Sequence, residues 1–175
     1  MSVCVEGLIR NDFYDIDNIE AVEAELNRAS KCFNDYFRLE GEDKFLPYGL
    51  DCEYYQVYSE AHHMHRMFLK KGYWHVSPAY RYHQLFTPPL FVRQGFYDVA
   101  KALGKNEAWY CDEFHLDNCG DERWDYDTQS FEEWLAFINS TYGVIREFPI
   151  EEISSSEDIR FPAEPVYYDG FKDLK

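Results

Sequence analysis

The chain has 175 residues, of which 46% are hydrophobic and 19% aromatic, and its formal net charge is −16 at pH 7. That much apolar surface can offset the entropy of ordering, so the composition excludes a disordered chain despite the charge. No apolar run approaches the roughly 20 residues that cross a bilayer, and the start of the chain lacks a secretory-signal pattern. We therefore expect a single domain over 1–175 with no membrane segment. Five widely spaced cysteines without a C-x-x-C pair favour a reduced, cytoplasmic protein.

The first half of the chain predicts two long helices. Asp17, followed three residues later by Glu20, resembles a capping box, and apolar residues then keep helical spacing over 18–39. A second stripe of apolar and aromatic residues predicts a helix over 53–71, with Gly72 as its terminator.

The centre of the chain combines three local signals. Thr87 and Pro88 suit the start of a helix, and the residues after them keep helical spacing over 88–103. Gly104 follows where a left-handed terminator is expected. Residues 107–114 then alternate as a short aromatic strand. The pattern predicts a helix, a glycine turn and a strand at the centre of the domain.

The last part of the chain predicts one more helix and a return to the sheet. Ser130 and Glu133 form a capping box for a helix over 131–142, and 144–148 is a candidate strand. Residues 150–175 are expected to form an extended tail packed on the body. The predicted fold class is α+β, a single domain with four main helices packed on a small β-sheet.

Negative charge is concentrated after residue 106, where 18 acidic residues accompany only five basic ones. Aromatic residues lie among these acids, which suits capture of a basic protein, since rings anchor the contact and carboxylates steer it. The predicted binding residues are Asp112, Glu113, Asp117, Asp121, Trp124, Asp125, Tyr126 and Asp127. The pattern favours a non-catalytic protein that neutralises a basic protein partner, of the toxin-immunity or small-inhibitor class.

The aromatic residues of this segment also have a simpler interpretation. They can belong to the core while the acids only keep the protein soluble. The residues for which both interpretations stay open are Trp109, Tyr110, Phe114, Trp124, Tyr126, Phe131 and Trp134.

The histidines give an alternative hypothesis, a metal-dependent hydrolase. His62 and His65 are three residues apart, so a helix would place them on one face, and His115 or Glu113 would supply a further ligand. One divalent transition metal would then be held by His62, His65 and His115. The segment A-H-H-M-H does not match the H-E-x-x-H pattern of zinc proteases, and His65 also fits a buried core position.

The sequence has no motif for nucleotide binding or for a serine nucleophile, because G-x-x-x-x-G-K-[ST], G-x-G-x-x-G and G-x-S-x-G are all missing. The leading hypothesis therefore includes no cofactor. Direct nucleic-acid binding is disfavoured, since an anionic surface repels phosphates. The same charge gives a third hypothesis, mimicry of nucleic acid towards a protein that binds it.

Overall fold

A computed structural model describes residues 5–49, 55–59, 66–77, 89–112, 129–151 and 166–174. These residues form three α-helices, a short 3-10 turn at Gly41–Asp43 and eight strands. The helices are α1 (Ile19–Phe37), α2 (Pro89–Ala102) and α3 (Phe131–Tyr142). The strands are β1 (Val5–Arg10), β2 (Leu46–Tyr48), β3 (Gln56–Tyr58), β4 (Arg66–Lys70), β5 (Tyr73–Ser77), β6 (Ala108–Asp112), β7 (Arg146–Glu147) and β8 (Val166–Asp169).

One mixed sheet organises the described residues, in the order β2-β3-β4-β5-β1-β6-β8-β7. Its neighbouring strands pair antiparallel except for β7 and β8, which are parallel. Apolar residues of α1 and α2 pack on one face of the sheet, and those of α3 pack on the other. The predicted α+β class and single domain are confirmed, but the sheet is larger than expected and the described residues contain three helices rather than four.

Helix α1 follows from its apolar periodicity, because Val22, Leu26, Ala29 and Phe33 recur every three or four residues and are all buried. Its N-cap is Asn18, one residue after the predicted cap, and the side chain accepts a hydrogen bond from the backbone of the first turn. The helix ends before the predicted boundary at residue 39.

The predicted helix over 53–71 is wrong. The described part of that segment contains β3 and β4, which pair with each other in the sheet. Met67 and Leu69 are buried on the face that packs against α1 and α2, while Phe68 between them is half-buried on the other side, so the period is two. Gly72 has a φ of 84° and closes the β4–β5 hairpin instead of ending a helix.

The predicted central unit is confirmed where it is described. Helix α2 ends before Gly104, which has a φ of 72°, and β6 follows after a short loop. Ala108 and Tyr110 face the core beneath α1 and α2, whereas Trp109 and Cys111 face α3, as the alternation predicted. The predicted helix cap at residues 87–88 lies outside the described residues.

Close packing joins α2 to β1. A Cβ atom added to Gly7 would lie only 2.5 Å from the ring of Phe96, so that ring occupies the space where a side chain would begin. The ring of Phe96 also packs on Tyr110 of the neighbouring strand, with 5.2 Å between centroids. Gly7 therefore sets how near α2 approaches the centre of the sheet.

Helix α3 begins as predicted. The side chain of Ser130 accepts a hydrogen bond from the backbone of Glu133, and the Glu133 carboxylate accepts one from the backbone of Ser130. Helix α3 forms a second core with the strand residues on the face of the sheet that it covers. Its buried residues in this core are Phe131, Trp134 and Ile138. The strand predicted over 144–148 is confirmed as the shorter β7.

The C-terminal strand β8 lies inside the sheet, between β6 and β7. Arg93 of α2 fixes its end through two hydrogen bonds to Asp169, of 2.6 and 3.0 Å. Tyr110 donates a further hydrogen bond of 2.9 Å to the same carboxylate. A buried charge is stable only with partners of this kind, so Arg93 ties α2, β6 and β8 together.

A helix that crosses a bilayer needs about 20 predominantly apolar residues. None of the three described helices is long and apolar enough to cross a membrane.

Candidate partner-binding surface

Most of the sequence-predicted site residues lie outside the described part of the chain. This holds for Glu113, Asp117, Asp121, Trp124, Asp125, Tyr126 and Asp127, and for the proposed metal ligands His62, His65 and His115. Asp112 is described as the last residue of β6, where its backbone pairs with Val5 of β1. Within the described ranges, no group of three or more His, Cys, Asp or Glu side chains is placed to hold a metal ion.

Four of the rings considered as partner anchors are core residues. Tyr110, Phe131 and Trp134 are fully buried, and Trp109 is 7% exposed. Trp109 and Phe131 pack edge to face, with 4.8 Å between ring centroids. The anchor interpretation is therefore wrong for these four, because their surfaces already stabilise the two cores.

Many acids after residue 106 have partners within the protein. Glu107 accepts a hydrogen bond from Tyr168, Glu147 pairs with Lys172, and both Asp169 and Asp173 pair with Arg93. These four acids thus contribute to folding as well as to net charge.

The connection between β1 and α1, together with the first residues of α1, carries the clearest acidic surface among the described residues. Between positions 12 and 23 the sequence contains five acids and no base. All five side chains are exposed, and so are two apolar ones, Tyr14 at 44% and Ile19 at 52%. We call this set the β1–α1 acidic surface, which consists of Asp12, Tyr14, Asp15, Asp17, Ile19, Glu20 and Glu23.

Charge on this surface is largely uncompensated. Within the described part of the chain, no ion pair within 4.0 Å involves Asp17, Glu20 or Glu23. Lys105 lies 3.7 Å from Asp12, at the edge of the surface. The part of α1 after Glu23 differs, since its acids pair with bases of the same helix: Glu25 with Arg28 and Asp35 with Lys31.

Tyr14 joins this surface to the start of α3. Its hydroxyl donates a hydrogen bond of 2.9 Å to Glu132, which also accepts one of 2.8 Å from Arg10. The ring lies against Gly72, because a Cβ atom there would be 3.0 Å from it. The side chains of the β1–α1 connection and the acids of the first turn of α3 therefore form one neighbourhood.

The electrostatics of this contact follow from its hydrogen bonds. Although partial burial acts in the opposite direction, the bonds donated by Tyr14 and Arg10 lower the pKa of Glu132 below its ordinary value. Partial burial and the neighbouring Glu132 carboxylate raise the pKa of Tyr14. The hydrogen bond from the Ser130 backbone lowers the pKa of Glu133. Both glutamates therefore carry negative charge at neutral pH.

Comparison with protein-family models, with curated proteins and with solved structures finds no match to this chain.

The β1–α1 acidic surface was not predicted from the sequence, because acids on the outer side of an amphipathic helix are usually only its solvated face. A usable signal was present: five acids from Asp12 to Glu23 with no base among them, together with Tyr14 and Ile19. Local charge density, rather than the total over a long segment, distinguishes these acids from those that pair within the fold.

Proposed function

We propose that the protein is a non-catalytic interaction protein that binds a basic protein partner and neutralises it, as a toxin-immunity protein or a small inhibitor does. The observation that carries the proposal is the hydrogen bond between Tyr14 and Glu132, because it brings the β1–α1 acidic surface beside the first turn of α3. That helix directly follows, in sequence, the acidic segment 112–127.

Electrostatic steering supports this function. A protein of net charge −16 attracts a cationic partner over a distance of about 8–10 Å at physiological salt, and unpaired carboxylates retain that attraction close to the surface. Exposed Tyr14 and Ile19 supply apolar area among the carboxylates. Aromatic anchors surrounded by charges of one sign are typical of interfaces that select a partner of the opposite sign.

The proposal is tested by capture of a partner from host lysate on the immobilised protein, at 50 and at 300 mM salt. The variant Asp17→Asn, Glu20→Gln, Glu23→Gln removes three charges while keeping the side-chain shapes. We expect the retained partner to be basic, to elute at the higher salt, and to bind the variant at least tenfold more weakly.

The matched control is Glu40→Gln, Glu42→Gln, Asp43→Asn, which removes the same number of charges beyond the other end of α1, where these side chains are also exposed. It is expected to bind the partner within about twofold of the wild type. An equal loss of partner binding in both variants would mean that only net charge matters. Unchanged binding by the variant Asp17→Asn, Glu20→Gln, Glu23→Gln would reject the β1–α1 acidic surface as the site.

The segment 112–127 remains part of the proposal as a second contributor. Its test is the variant Glu113→Lys, Asp125→Lys, Asp127→Lys in the same capture experiment. Retention of the partner at wild-type level would count against this segment, whatever the result for the β1–α1 acidic surface.

A further inference from the structure

Outside the proposed partner surface, an open cleft of about 470 Å³ lies where α2, β7 and β8 meet. Its walls include the half-buried side chains of Pro149 and Ile150 and the acids Asp169 and Asp173, and Arg93 pairs with both acids. Small-molecule sites commonly have volumes of 300–1,000 Å³ and combine apolar walls with a few fixed polar groups. The cleft meets both conditions.

Arg93 is the fixed polar group of the cleft. Its side chain is only 4% exposed, and it lies over the rings of Phe148 and Phe171, at 5.2 and 5.7 Å from their centroids. A guanidinium presents donors in a planar fork that matches a carboxylate, and the two buried rings pack on this fork and fix its orientation. The geometry thus suits a planar acid that carries an apolar body.

The two carboxylates on Arg93 are held very differently. Asp169 is 4% exposed and accepts four hydrogen bonds, two from Arg93 and one each from the Tyr110 hydroxyl and the Phe171 backbone. Asp173 is 43% exposed, and both side-chain hydrogen bonds that it accepts from described residues come from Arg93. Asp169 is therefore structural, whereas Asp173 is the member that a competing acid can replace.

The backbone that delivers Asp173 is under strain. Phe171 adopts a φ of 49°, a left-handed conformation that is unfavourable for a bulky residue, and its carbonyl accepts a hydrogen bond of 3.0 Å from Leu174. The turn is maintained by the Asp173–Arg93 contact and by packing of the Phe171 ring on Tyr97. The Phe171 backbone also donates a hydrogen bond to Asp169 and its ring is buried, so release of Asp173 leaves the turn in place.

We propose that this cleft binds a monocarboxylate with an aromatic or similarly apolar body, and that Asp173 occupies the place of its carboxylate in the ligand-free protein. The ligand carboxylate takes over the outer pair of donors on Arg93. Its apolar body lies against Pro149 and Ile150, the apolar side chains of the cleft wall that are only half-buried.

The test is a titration of the folded protein followed by NMR at constant ionic strength, with benzoate, acetate and neutral benzamide as probes. The variant Asp173→Ala, which vacates the outer donors, is expected to bind benzoate saturably and about tenfold more tightly than the wild type, in which Asp173 competes. Acetate should bind the variant about tenfold more weakly than benzoate, because it lacks the ring, and benzamide should not bind.

A folded Asp173→Ala variant without saturable benzoate binding would overturn the proposal, as would equal affinity for benzoate and benzamide. Equal affinity of wild type and variant would overturn the role of Asp173. If the alanine variant does not fold, Asp173→Asn decides instead. Benzoate must then raise the melting temperature of Asp173→Asn more than equimolar sodium chloride does, and more than it raises that of the wild type; otherwise the proposal fails.

Discussion

Arg93 of α2 and Asp169 of β8 are 76 residues apart in sequence and form a buried ion pair with two hydrogen bonds, of 2.6 and 3.0 Å. Replacement of Arg93 by methionine leaves the Asp169 carboxylate buried without its cation. We expect the free energy of unfolding to fall by about 3–5 kcal/mol, the usual cost of removing one partner from a buried pair. Urea denaturation followed by circular dichroism measures it.

The control for this prediction is Arg28→Met. Arg28 pairs with Glu25 on the surface of α1, and its side chain is 50% exposed. The same chemical change there should cost less than about 1 kcal/mol, because exposed pairs are solvated in both states. Similar losses in the two variants would show that burial of the Arg93 pair contributes little.

Alanine substitutions at two glycines distinguish the cost of steric crowding from the cost of backbone strain. Alanine at Gly7 would place its Cβ 2.5 Å from the ring of Phe96, at a position without a left-handed φ, so its cost is overpacking, about 1–3 kcal/mol. Alanine at Gly104 would meet nothing within 4 Å but would adopt a φ of 72°, so its cost is backbone strain of roughly 1 kcal/mol.

A third substitution distinguishes the two causes in the same denaturation assay. Phe96→Leu should recover part of the loss in Gly7→Ala, since a smaller side chain makes room for the new methyl group. It should leave the cost of Gly104→Ala unchanged. Additive effects of Gly7→Ala and Phe96→Leu would contradict the crowding explanation.

The sequence predicted elements whose signals are local. The capping box of Ser130 and Glu133 and the helix terminator Gly104 lie where expected, because each depends on a few neighbouring residues. The prediction of a helix over 53–71 was wrong for a physical reason. Gly72 suits both a helix terminator and a hairpin turn, and only pairing with distant strands, such as His75 with Leu8, selects the sheet.

The candidate site was less predictable because the number of charged residues does not show which of them form ion pairs within the fold. Asp169 and Glu20 contribute equally to net charge, yet one is buried against Arg93 and the other is exposed without an ion pair among the described residues. The contact between Tyr14 and Glu132 spans 118 residues, so no local pattern announces it. Long-range contacts thus decide which acids are available to a partner.

The Tyr14–Glu132 hydrogen bond is tested by Tyr14→Phe. Removal of the hydroxyl takes away a donor that lowers the pKa of Glu132, so that pKa should rise towards its ordinary value. Carbon NMR of the glutamate carboxyl groups measures the change. The unfolding free energy should fall by no more than about 1 kcal/mol, because both side chains are 44% exposed. An unchanged Glu132 pKa would show that Arg10 alone holds the carboxylate.

The lowered pKa of Asp173 predicts how the free energy of unfolding depends on pH. The hydrogen bond from Arg93 lowers the pKa of Asp173 in the folded protein, so between the folded pKa and the unfolded value near 3.9 the unfolded state binds more protons. The contribution of Asp173 is therefore fully present above about pH 5 and is lost as pH falls through the folded pKa. Because the side chain is 43% exposed, we expect this contribution to be about 0.5–1 kcal/mol at pH 7.

The difference in unfolding free energy between wild type and Asp173→Asn, measured by urea denaturation from pH 7 to pH 3, should decrease below pH 4. A difference that stays constant over this range would show that the Asp173 carboxylate is not coupled to the charge of Arg93.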